Sequence, residues 1–262
     1  MEPFRVHILG CGSALPTLRH NASAQVVEVR GKLFMIDCGE GSQMQLRRSR
    51  IRFTKIGHVF ISHLHGDHCF GLMGMISTFG MLGRIAKLHI YATAELEPML
   101  QSQLDMFCNH LSYEVVFHPI DTTQEQVIYE DRSLTVTTIP LQHRIPCCGF
   151  LFREKPTRKP TPLRSYAYCS DTRYMEDLHQ RIEGVSTLYH ESTYADDNQA
   201  LAEKYNHSTA REAAQVARDA HARQLLLGHY SSRYEDENVL LNEAKEVFDN
   251  TFLAQENAVF DV

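Results

Sequence analysis

The chain has 262 residues, of which 43% are hydrophobic and 22% are charged, and its formal net charge is −6. This composition is typical of a globular protein and excludes an intrinsically disordered chain. The acidic balance excludes a wholly basic protein that coats nucleic acid. No stretch reaches the length of a transmembrane helix, and the start, MEPFRVHILG, lacks the basic segment and apolar run of a signal peptide, so we expect a cytoplasmic protein.

The number and spacing of the cysteines are also typical of a cytoplasmic protein. The chain has seven cysteines, an odd number, and their spacing matches neither a secreted disulfide framework nor a CxxC zinc motif. We therefore expect reduced thiols. Cys147 and Cys148 lie in an apolar, strand-like run, which favours buried packing over redox chemistry.

Hydrophobic periodicity predicts a first third rich in strands, followed by strands and helices in alternation. In chain order, the predicted strands cover 4–9, 24–30, 32–39, 58–63, 87–92, 113–120, 126–130, 133–141, 147–154, 164–171, 186–193, 224–230 and 258–262. The predicted helices cover 71–82, 94–107, 196–206, 208–222 and 237–248. This order favours two β-sheets packed face to face with helices on their outer faces. We expect it to form a single domain over residues 1–262.

A dense cluster of potential metal ligands lies in HLHGDH at 63–68, directly after the apolar run VFIS. Imidazole nitrogen and carboxylate oxygen suit Zn²⁺, whereas Ca²⁺ and Mg²⁺ prefer oxygen ligands. If the strand ends just before the motif, His63 and His65 can face one side, and the glycine that follows lets Asp67 and His68 face a second point. Four ligands in six positions cannot all reach one tetrahedral ion without strain, so the spacing favours two ions.

Two other interpretations of this cluster fit its composition less well. Burying three histidines and a carboxylate without partners costs several kcal/mol, which disfavours a chance arrangement. A closed structural zinc site favours cysteine ligands, and none of the seven cysteines is suitably spaced. A catalytic metal site is therefore the favoured interpretation.

Motifs along nearly the whole chain carry a family resemblance. They are LGCGSALPT, PTLRHN, FMIDCGEGSQMQL, FISHLHGDHCFGLMGM, PLQHRIPCCGF, YCSDT, HEST, HST and LLLGHYSSRY. In this order they resemble the metallo-β-lactamase-fold hydrolases and, within them, the ribonuclease Z family, which trims the 3′ trailers of precursor tRNA. The resemblance implies the α/β (α+β) class and a four-layer αββα sandwich of two mixed β-sheets with helices outside.

The resemblance also implies two Zn²⁺ ions per subunit, at a site whose nitrogen and oxygen ligands can also accept Mn²⁺ or Fe²⁺. It assigns to the first ion the ligands His63, His65, His143 and Asp171. It assigns to the second ion Asp67, His68, His229 and the same Asp171. His143, Asp171 and His229 each follow a strand-like run, so all three would lie at one rim.

Other histidines match no ligand position of the family. They are His7, His20, His58, His89, His110, His118, His179 and His221, and we expect them to be structural or solvated. Without the resemblance, His143 and His229 would be read in the same way. Their positions after strand-like runs and the family motifs around them favour metal ligation only when they are taken together.

Catalytic roles follow from the same resemblance. Asp67 would orient the metal-activated water that attacks the phosphodiester as hydroxide, or take its proton. His207 of HST would protonate the leaving ribose oxygen while Glu191 of HEST holds and charges its imidazole. A helix N-cap at Ser208 is another interpretation of HST, and both can hold together. Asp37 of DCGEG either orients a ligand histidine through a hydrogen bond or forms a turn.

The implied activity is that of an endoribonuclease, a hydrolase that leaves a 3′-hydroxyl on the tRNA. A metal-dependent phosphodiesterase acting on small or unstructured nucleic-acid substrates is the alternative. A binding module without catalysis is disfavoured because every implied ligand is present. The family pairs its subunits, one gripping tRNA for the other's site, so a homodimer is expected.

Substrate contacts are expected in two regions. Arg19 and Asn21 of PTLRHN resemble a family loop near the acceptor stem, where arginine can contact phosphate, but Leu18 stands where lysine is common. The basic stretch RRSRIR at 47–52 could add contacts to the RNA backbone, although such runs are more often solvated faces.

The connector between His143 and Asp171 departs most from the family. Members usually carry a long arm there that grips the tRNA elbow, whereas this chain has only the basic, proline-rich segment REKPTRKPTPLR at 153–164. If the arm is absent, a monomer should bind tRNA weakly. The metal chemistry should survive, because the implied ligands lie outside the connector.

Overall fold

A computed structural model describes residues 2–15, 17–108, 110–157 and 162–262. Its strands are β1 Phe4–Gly10, β2 Ala24–Val29, β3 Lys32–Ile36, β4 Ile56–Phe60, β5 Leu88–Ala92, β6 Val115–Pro119, β7 Val127–Glu130, β8 Leu134–Pro140, β9 Cys148–Glu154, β10 Ser165–Cys169, β11 Thr187–Glu191, β12 Gln224–Gly228, β13 Thr251–Leu253 and β14 Val259–Asp261. Its α-helices are α1 Ser42–Arg48, α2 Gly66–Cys69, α3 Leu72–Met81, α4 Leu96–Phe107, α5 Leu178–Arg181, α6 Gln199–Tyr205, α7 Ala210–Asp219 and α8 Asn238–Lys245. Short 3₁₀ helices cover Phe53–Lys55 and Asp196–Asn198.

Each predicted strand and helix corresponds to one of these elements. The elements that periodicity did not predict are short: α1, α2, α5, β13 and the 3₁₀ helix Phe53–Lys55 have between three and seven residues. A segment of that length does not complete two turns of amphipathic helix or several strand alternations, so it carries little periodic signal.

The described chain divides into two compact units, and the first comprises the residues up to Asp121 together with Gln255–Asp261. Its sheet has the strand order β14-β1-β2-β3-β4-β5-β6. The strands from β14 to β3 pair antiparallel, and those from β3 to β6 run parallel. The carboxyl ends of β3 and β4 therefore lie at the same edge of this sheet.

Local sequence explains how this first sheet forms. Arg30 and Gly31 both adopt left-handed backbone conformations, with φ of 51° and 78°, and a two-residue turn of this kind matches the twist of the β2–β3 hairpin. On one face, helix α3 buries Leu72, Met75, Ile76 and Phe79, which recur at helical spacing. They pack in one core cluster with apolar residues of β3, β4 and β5.

The second unit covers Thr122–Ala254, with Val262. Its sheet has the order β13-β12-β11-β10-β9-β8-β7, antiparallel from β7 to β10 and parallel from β10 to β13. β8 and β10 both pair antiparallel with β9, so they run in the same direction. The carboxyl ends of β8, β10, β11 and β12 therefore share one edge, as in the first sheet.

The N-cap predicted at Ser208 is wrong by one residue. Thr209 caps α7, where its hydroxyl accepts the Glu212 amide hydrogen at 3.2 Å and the Glu212 carboxylate accepts the Thr209 amide hydrogen at 2.8 Å. The Ser208 hydroxyl instead donates to the backbone carbonyl of Thr172 at 2.7 Å. A cap at Ser208 would place Arg211 three residues later, and arginine has no acceptor to complete a capping box.

The predicted connector at 153–164 includes residues 158–161, which lie outside the described residues. On either side of that gap, Arg164 makes a bidentate ion pair with Glu154, with both N–O distances 2.9 Å, and Lys155 pairs with Glu130. These two basic side chains are thus engaged with carboxylates of their own unit.

Candidate metal centre

The loop after β4 carries four of the predicted ligands in the first unit. His63 Nε2 lies 3.0 Å from His65 Nδ1, and His68 Nε2 lies 3.4 Å from Asp67 Oδ2. Helix α2 begins directly after His65, so the turn of the chain separates the first pair of ligands from the second. Both His63 and His68 are fully buried. This unit therefore presents the two pairs of donor atoms that the spacing predicted.

A buried carboxylate, Asp37, sets the orientation of these imidazoles. His68 Nδ1 donates to Asp37 Oδ2 at 2.7 Å, and Ser62 donates its amide hydrogen at 2.8 Å and its hydroxyl hydrogen at 2.9 Å to the same carboxylate. The Ser62 hydroxyl oxygen lies 3.0 Å from His63 Nδ1 and can accept its hydrogen. With Nδ1 protonated in both histidines, Nε2 carries the lone pair that a metal needs. The predicted hydrogen bond between Asp37 and a candidate ligand histidine is present.

We expect Asp37→Asn to lower the affinity for divalent metal about 10- to 100-fold, because an amide cannot hold the His68 tautomer as a carboxylate does. Asparagine tolerates the left-handed backbone of this position, where φ is 56°. Competitive titration against a chelating indicator measures the affinity. Asp105→Asn, on the exposed face of α4, is the matched control and should not change it. An Asp37→Asn protein that is folded and binds metal as tightly as the parent would contradict the orienting role.

In the second unit, three predicted ligands lie at the carboxyl edge of the sheet. Asp171 follows β10, His229 follows β12, and His143 follows β8. Asp171 Oδ1 lies 3.7 Å from His143 Nε2, and Asp171 Oδ2 lies 3.1 Å from His229 Nε2. The three side chains are at most 3% exposed. Asp171 thus turns one carboxylate oxygen toward each histidine, as a carboxylate shared by two ions would do.

Both histidines of this unit are held through Nδ1. His143 Nδ1 lies 3.0 Å from the carbonyl oxygen of Asn206 and donates to it. His229 Nδ1 lies 2.9 Å from Thr193 Oγ1, whose hydroxyl donates to Glu191 Oε2 at 2.6 Å and therefore accepts from the histidine. Burial lowers the pKa of His143, which favours the neutral, ligating form.

Three of these residues have strained backbones. Asp37, Asp171 and His229 adopt left-handed conformations, with φ of 56°, 60° and 59°. Such φ values are uncommon for residues other than glycine and persist only where the surrounding structure enforces them. Each of the three lies within two residues of a strand end, where the chain must turn to aim the side chain along the sheet edge.

A buried ion pair lies beside the ligands of the second unit. His207 Nδ1 lies 2.9 Å from Glu191 Oε1, and Glu191 is fully buried. The same carboxylate accepts the amide hydrogens of Thr172 at 2.7 Å and Ser208 at 3.1 Å, besides the hydroxyl of Thr193. A ring nitrogen of His207, one of His229 and an oxygen of Asp171 all lie within 4.8 Å of one another.

Charge on this pair follows from its geometry. Burial by itself would lower the pKa of His207, but the charge and hydrogen bond of Glu191 outweigh burial and raise the pKa to about 9. Burial likewise opposes ionisation of Glu191, and the charge and hydrogen bond of His207 nevertheless lower its pKa. At neutral pH the pair is therefore an imidazolium beside a carboxylate, and its imidazolium is an acid placed beside the candidate ligands.

The predicted substrate residues lie in the loop after β1. Arg19 is exposed, and Asn21 donates its amide hydrogen to Glu256 Oε1 at 2.8 Å. The same loop contacts a predicted ligand, because the Ala14 amide donates to Asp67 Oδ2 at 2.9 Å. Leu18 is fully exposed. Pro16, the first residue of the predicted contact motif, lies outside the described residues.

The donor chemistry fits a divalent metal of the zinc type. Imidazole nitrogens and carboxylate oxygens are borderline ligands that Zn²⁺ accepts. Tetrahedral Zn–N bonds of about 2.0–2.1 Å place two ligand nitrogens about 3.3 Å apart. The 3.0 Å separation of His63 Nε2 and His65 Nδ1 is close to that value. His63, His68, His143 and His229 are buried as side chains and are orientated by hydrogen bonds through Nδ1, as metal ligands generally are.

Sequence reasoning missed the residues that hold the ligands in place. Ser62, Thr193 and Asn206 contact predicted ligand histidines, and Thr172 and Ser208 bind Glu191. Ser62 could have been found, because it directly precedes the histidine motif. The other contacts join residues between 17 and 63 positions apart in the chain, or pass through backbone atoms, so no local pattern reveals them.

Comparisons with known proteins agree with this geometry. A family model described as a beta-lactamase superfamily domain matches residues 33–230. Ribonuclease Z of Bacteroides fragilis is 52% identical over 299 aligned positions, which cover 98% of this chain and 98% of the relative. Ribonuclease Z of Phocaeicola vulgatus is 53% identical, over 98% of this chain and 96% of the relative. The crystal structure of the short form of human tRNase Z has a TM-score of 0.82 at 27% identity, over 98% of both chains.

The chain belongs to the ribonuclease Z family. Its metallo-β-lactamase fold, built from two mixed sheets with helices, is confirmed, as is the prediction of a metal-dependent endoribonuclease of the hydrolase class. Because the chain has the metallo-β-lactamase fold, we infer that it binds divalent metal. Among the described residues, we find no helix whose length and apolarity would allow it to cross a bilayer.

Proposed function

We propose that this protein is a zinc-dependent endoribonuclease that removes 3′ trailers from precursor tRNA. The observation that carries this proposal is the buried Glu191–His207 pair, which places an acid beside Asp171 and His229. Hydrolysis of a thioester releases a thiolate and does not require such a second acid, whereas release of a ribose alkoxide does. The relatives named ribonuclease Z and the structural likeness to tRNase Z support the same substrate.

We propose the ligand sets as follows, with the two compact units forming one catalytic domain. His63, His65, His143 and Asp171 hold one ion. Asp67, His68, His229 and Asp171 hold the other. The paired donors of the first unit and the two-sided Asp171 of the second support this assignment, since neither unit alone supplies enough ligands for two ions. Manganese or iron could replace zinc at these ligands.

The chain's own residues have separate tasks in the proposed reaction. Bound divalent ions supply the Lewis acidity that activates water and offsets charge on the phosphate. Asp67 orients the attacking water and accepts its proton. His207 donates its proton to the leaving ribose 3′ oxygen of the tRNA, and Glu191 keeps that imidazole charged and aligned. The products are a tRNA with a 3′-hydroxyl and a trailer with a 5′-phosphate.

We propose that the loop after β1 contacts the acceptor stem through Arg19 and Asn21. The exposure of Arg19 and the contact of Ala14 with Asp67 support this role. Arg47, Arg50 and Arg52, which line one cleft of the first unit, extend the basic surface available to RNA phosphates.

We propose that the long tRNA-gripping arm is absent from this chain. The alignment with the Bacteroides fragilis relative spans 299 positions, more than the 262 residues present here, so the relative carries residues without a counterpart in this chain. The short connector at 153–164 is the proposed place of that difference. We further propose a homodimer in which each subunit supports the other's substrate, and a cytoplasmic location, which the seven free thiols support.

A direct comparison of substrates tests this proposal. The zinc-loaded protein is incubated with a precursor tRNA that carries a 3′ trailer and, separately, with a small chromogenic phosphodiester. We expect cleavage at the end of the acceptor stem, weakening steeply as salt rises. His65→Ala should remove both activities, and His110→Ala, at a residue outside the proposed site, is the control. Turnover of the small ester alone would favour the general phosphodiesterase, and turnover of neither by zinc-loaded protein would favour a binding module.

A further inference from the structure

A second cluster of metal-ligating groups lies in the first unit and shares no residue with the proposed catalytic centre. Cys11 Sγ, a ring nitrogen of His20 and a carboxylate oxygen of Glu256 all lie within 4.8 Å of one another. His20 Nδ1 is 3.5 Å from Cys11 Sγ and 3.1 Å from Glu256 Oε2. We propose that these three side chains form a separate site for one thiophilic divalent cation, with Zn²⁺ as the best match.

The geometry favours a shared cation over a simple hydrogen-bonded chain. One nitrogen, His20 Nδ1, faces both the thiol and the carboxylate, and it carries either a hydrogen or a lone pair. If it donates to Glu256, the thiol sulfur 3.5 Å away receives at most a weak share of the same hydrogen, and if it accepts the thiol hydrogen of Cys11, its lone pair faces the carboxylate. A cation placed among the three atoms resolves this conflict, because all three then direct lone pairs at it.

The distances also match such an ion. Zinc bonds of about 2.3 Å to sulfur and about 2.0–2.1 Å to nitrogen or oxygen, at tetrahedral angles, separate sulfur from nitrogen by about 3.6 Å and nitrogen from oxygen by about 3.4 Å. The observed separations are 3.5 and 3.1 Å. The same arrangement excludes a nucleophilic triad, in which thiol and carboxylate must contact opposite nitrogens of the imidazole.

The surrounding backbone is built to bring the three ligands together. Gly12 lies directly after Cys11, and a Cβ added to it would stand 2.9 Å from the Cβ of His20, so glycine permits the close approach. Thr17 Oγ1 accepts the His20 amide hydrogen at 2.9 Å. Near Glu256, the Asn257 amide donates to the carbonyl of Ile8 in β1 at 2.9 Å.

Burial and charge suit a cation. Cys11 is fully buried, and the side chains of His20 and Glu256 are 13% and 12% exposed, which leaves solvent access for a water in the fourth position. The Asn21 amide donates to Glu256 Oε1 at 2.8 Å, which leaves Oε2 to face the cation beside His20. Binding a cation releases the Cys11 thiol proton to solvent and requires neutral His20.

This ion would clip the loop after β1 to the segment around Glu256, more than 230 residues away along the chain. In theory, a metal ion stabilises the folded protein most when it links residues that are far apart in the chain. The loop carries Arg19, Asn21 and the Ala14 amide that binds Asp67, so its order would affect substrate binding. That last consequence rests on the proposed function, whereas the cation site itself does not.

Cobalt absorption tests the site independently of RNA cleavage. Metal-free protein in a reductant that contains no thiol is titrated with Co²⁺, and the thiolate-to-cobalt charge-transfer band is followed in the near ultraviolet. The proposed catalytic centre has no cysteine ligand and cannot give this band. We expect the band in the parent, its loss in Cys11→Ser, and its retention in Cys69→Ser, a matched control at a buried thiol next to the histidine motif.

A second variant keeps the test decisive if Cys11→Ser does not fold. Glu256→Gln retains the shape of the side chain and an acceptor for the Asn21 amide, and it should raise the Co²⁺ concentration needed for the band at least tenfold. Absence of the band in folded, cobalt-loaded parent protein would overturn the site, as would its persistence in Cys11→Ser. A protein that shows the band yet does not cut precursor tRNA would refute the proposed function and leave the cation site standing.

Discussion

Replacing Asp171 by asparagine is expected to abolish metal-dependent RNA cleavage while the fold remains intact. In the proposed centre this carboxylate turns one oxygen toward His143 and the other toward His229, so one change removes an anionic ligand from both ions. Without the bound ions, the transition state loses several kcal/mol of electrostatic stabilisation. Each 1.4 kcal/mol or so of lost stabilisation slows the reaction about tenfold. We therefore expect kcat to fall about 10³-fold or more, together with a loss of bound metal.

Asparagine is the informative replacement because it tolerates the left-handed backbone of Asp171, where φ is 60°, and keeps the side-chain volume. Metal content after dialysis, circular dichroism and single-turnover cleavage of precursor tRNA measure the three effects. Asp177→Asn is the matched control, since its carboxylate is 55% exposed and pairs with Arg181 at the surface. An Asp171→Asn protein with full metal content and parental activity would rule out the shared-ligand role.

Replacing His207 by alanine is expected to lower kcat on precursor tRNA about 10²- to 10⁴-fold without loss of metal. The proposed acid donates its proton to a ribose oxygen, which is a poor leaving group when unprotonated. An aryl phosphodiester releases a stable phenolate and needs no such proton. We therefore expect His207→Ala to cut the aryl ester at close to the parental rate, and this split between two substrates separates an acid from a residue that merely supports the site.

The pH profile gives the same prediction a second readout. Burial opposes the charge on His207, but Glu191 raises its pKa to about 9, so the acid form is present below that pH and is lost as the pH rises through it. Cleavage of precursor tRNA should decline above about pH 9, and cleavage of the aryl ester should not show that decline. His221→Ala is the control, because His221 is 77% exposed and pairs with Glu183 at the surface. Equal losses on both substrates would contradict the role as acid.

Much of the architecture could be predicted from periodicity. The hairpin at Arg30-Gly31, the amphipathic helix α3 and the strands that precede each candidate ligand all follow from local patterns of apolar and turn residues. The misplaced N-cap at Ser208 shows the limit of such patterns. The chain offers serine and threonine side by side, and the contact of Ser208 with the distant Thr172 carbonyl decides between them.

The sequence by itself determined the chemistry of this protein: a cluster of imidazoles and carboxylates at a strand end, and a set of motifs that resembles one family. It could do so because ligand type and strand periodicity are local properties. Only the tertiary structure decided which nitrogen of His68, His143 and His229 is held by a hydrogen bond and which is left for a proposed metal, through Asp37, the Asn206 carbonyl and Thr193. It also brought His20, which matched no ligand position in the sequence, against Cys11 and the distant Glu256. These outcomes depend on hydrogen bonds and contacts between segments far apart in the chain, and a linear pattern does not encode such distances.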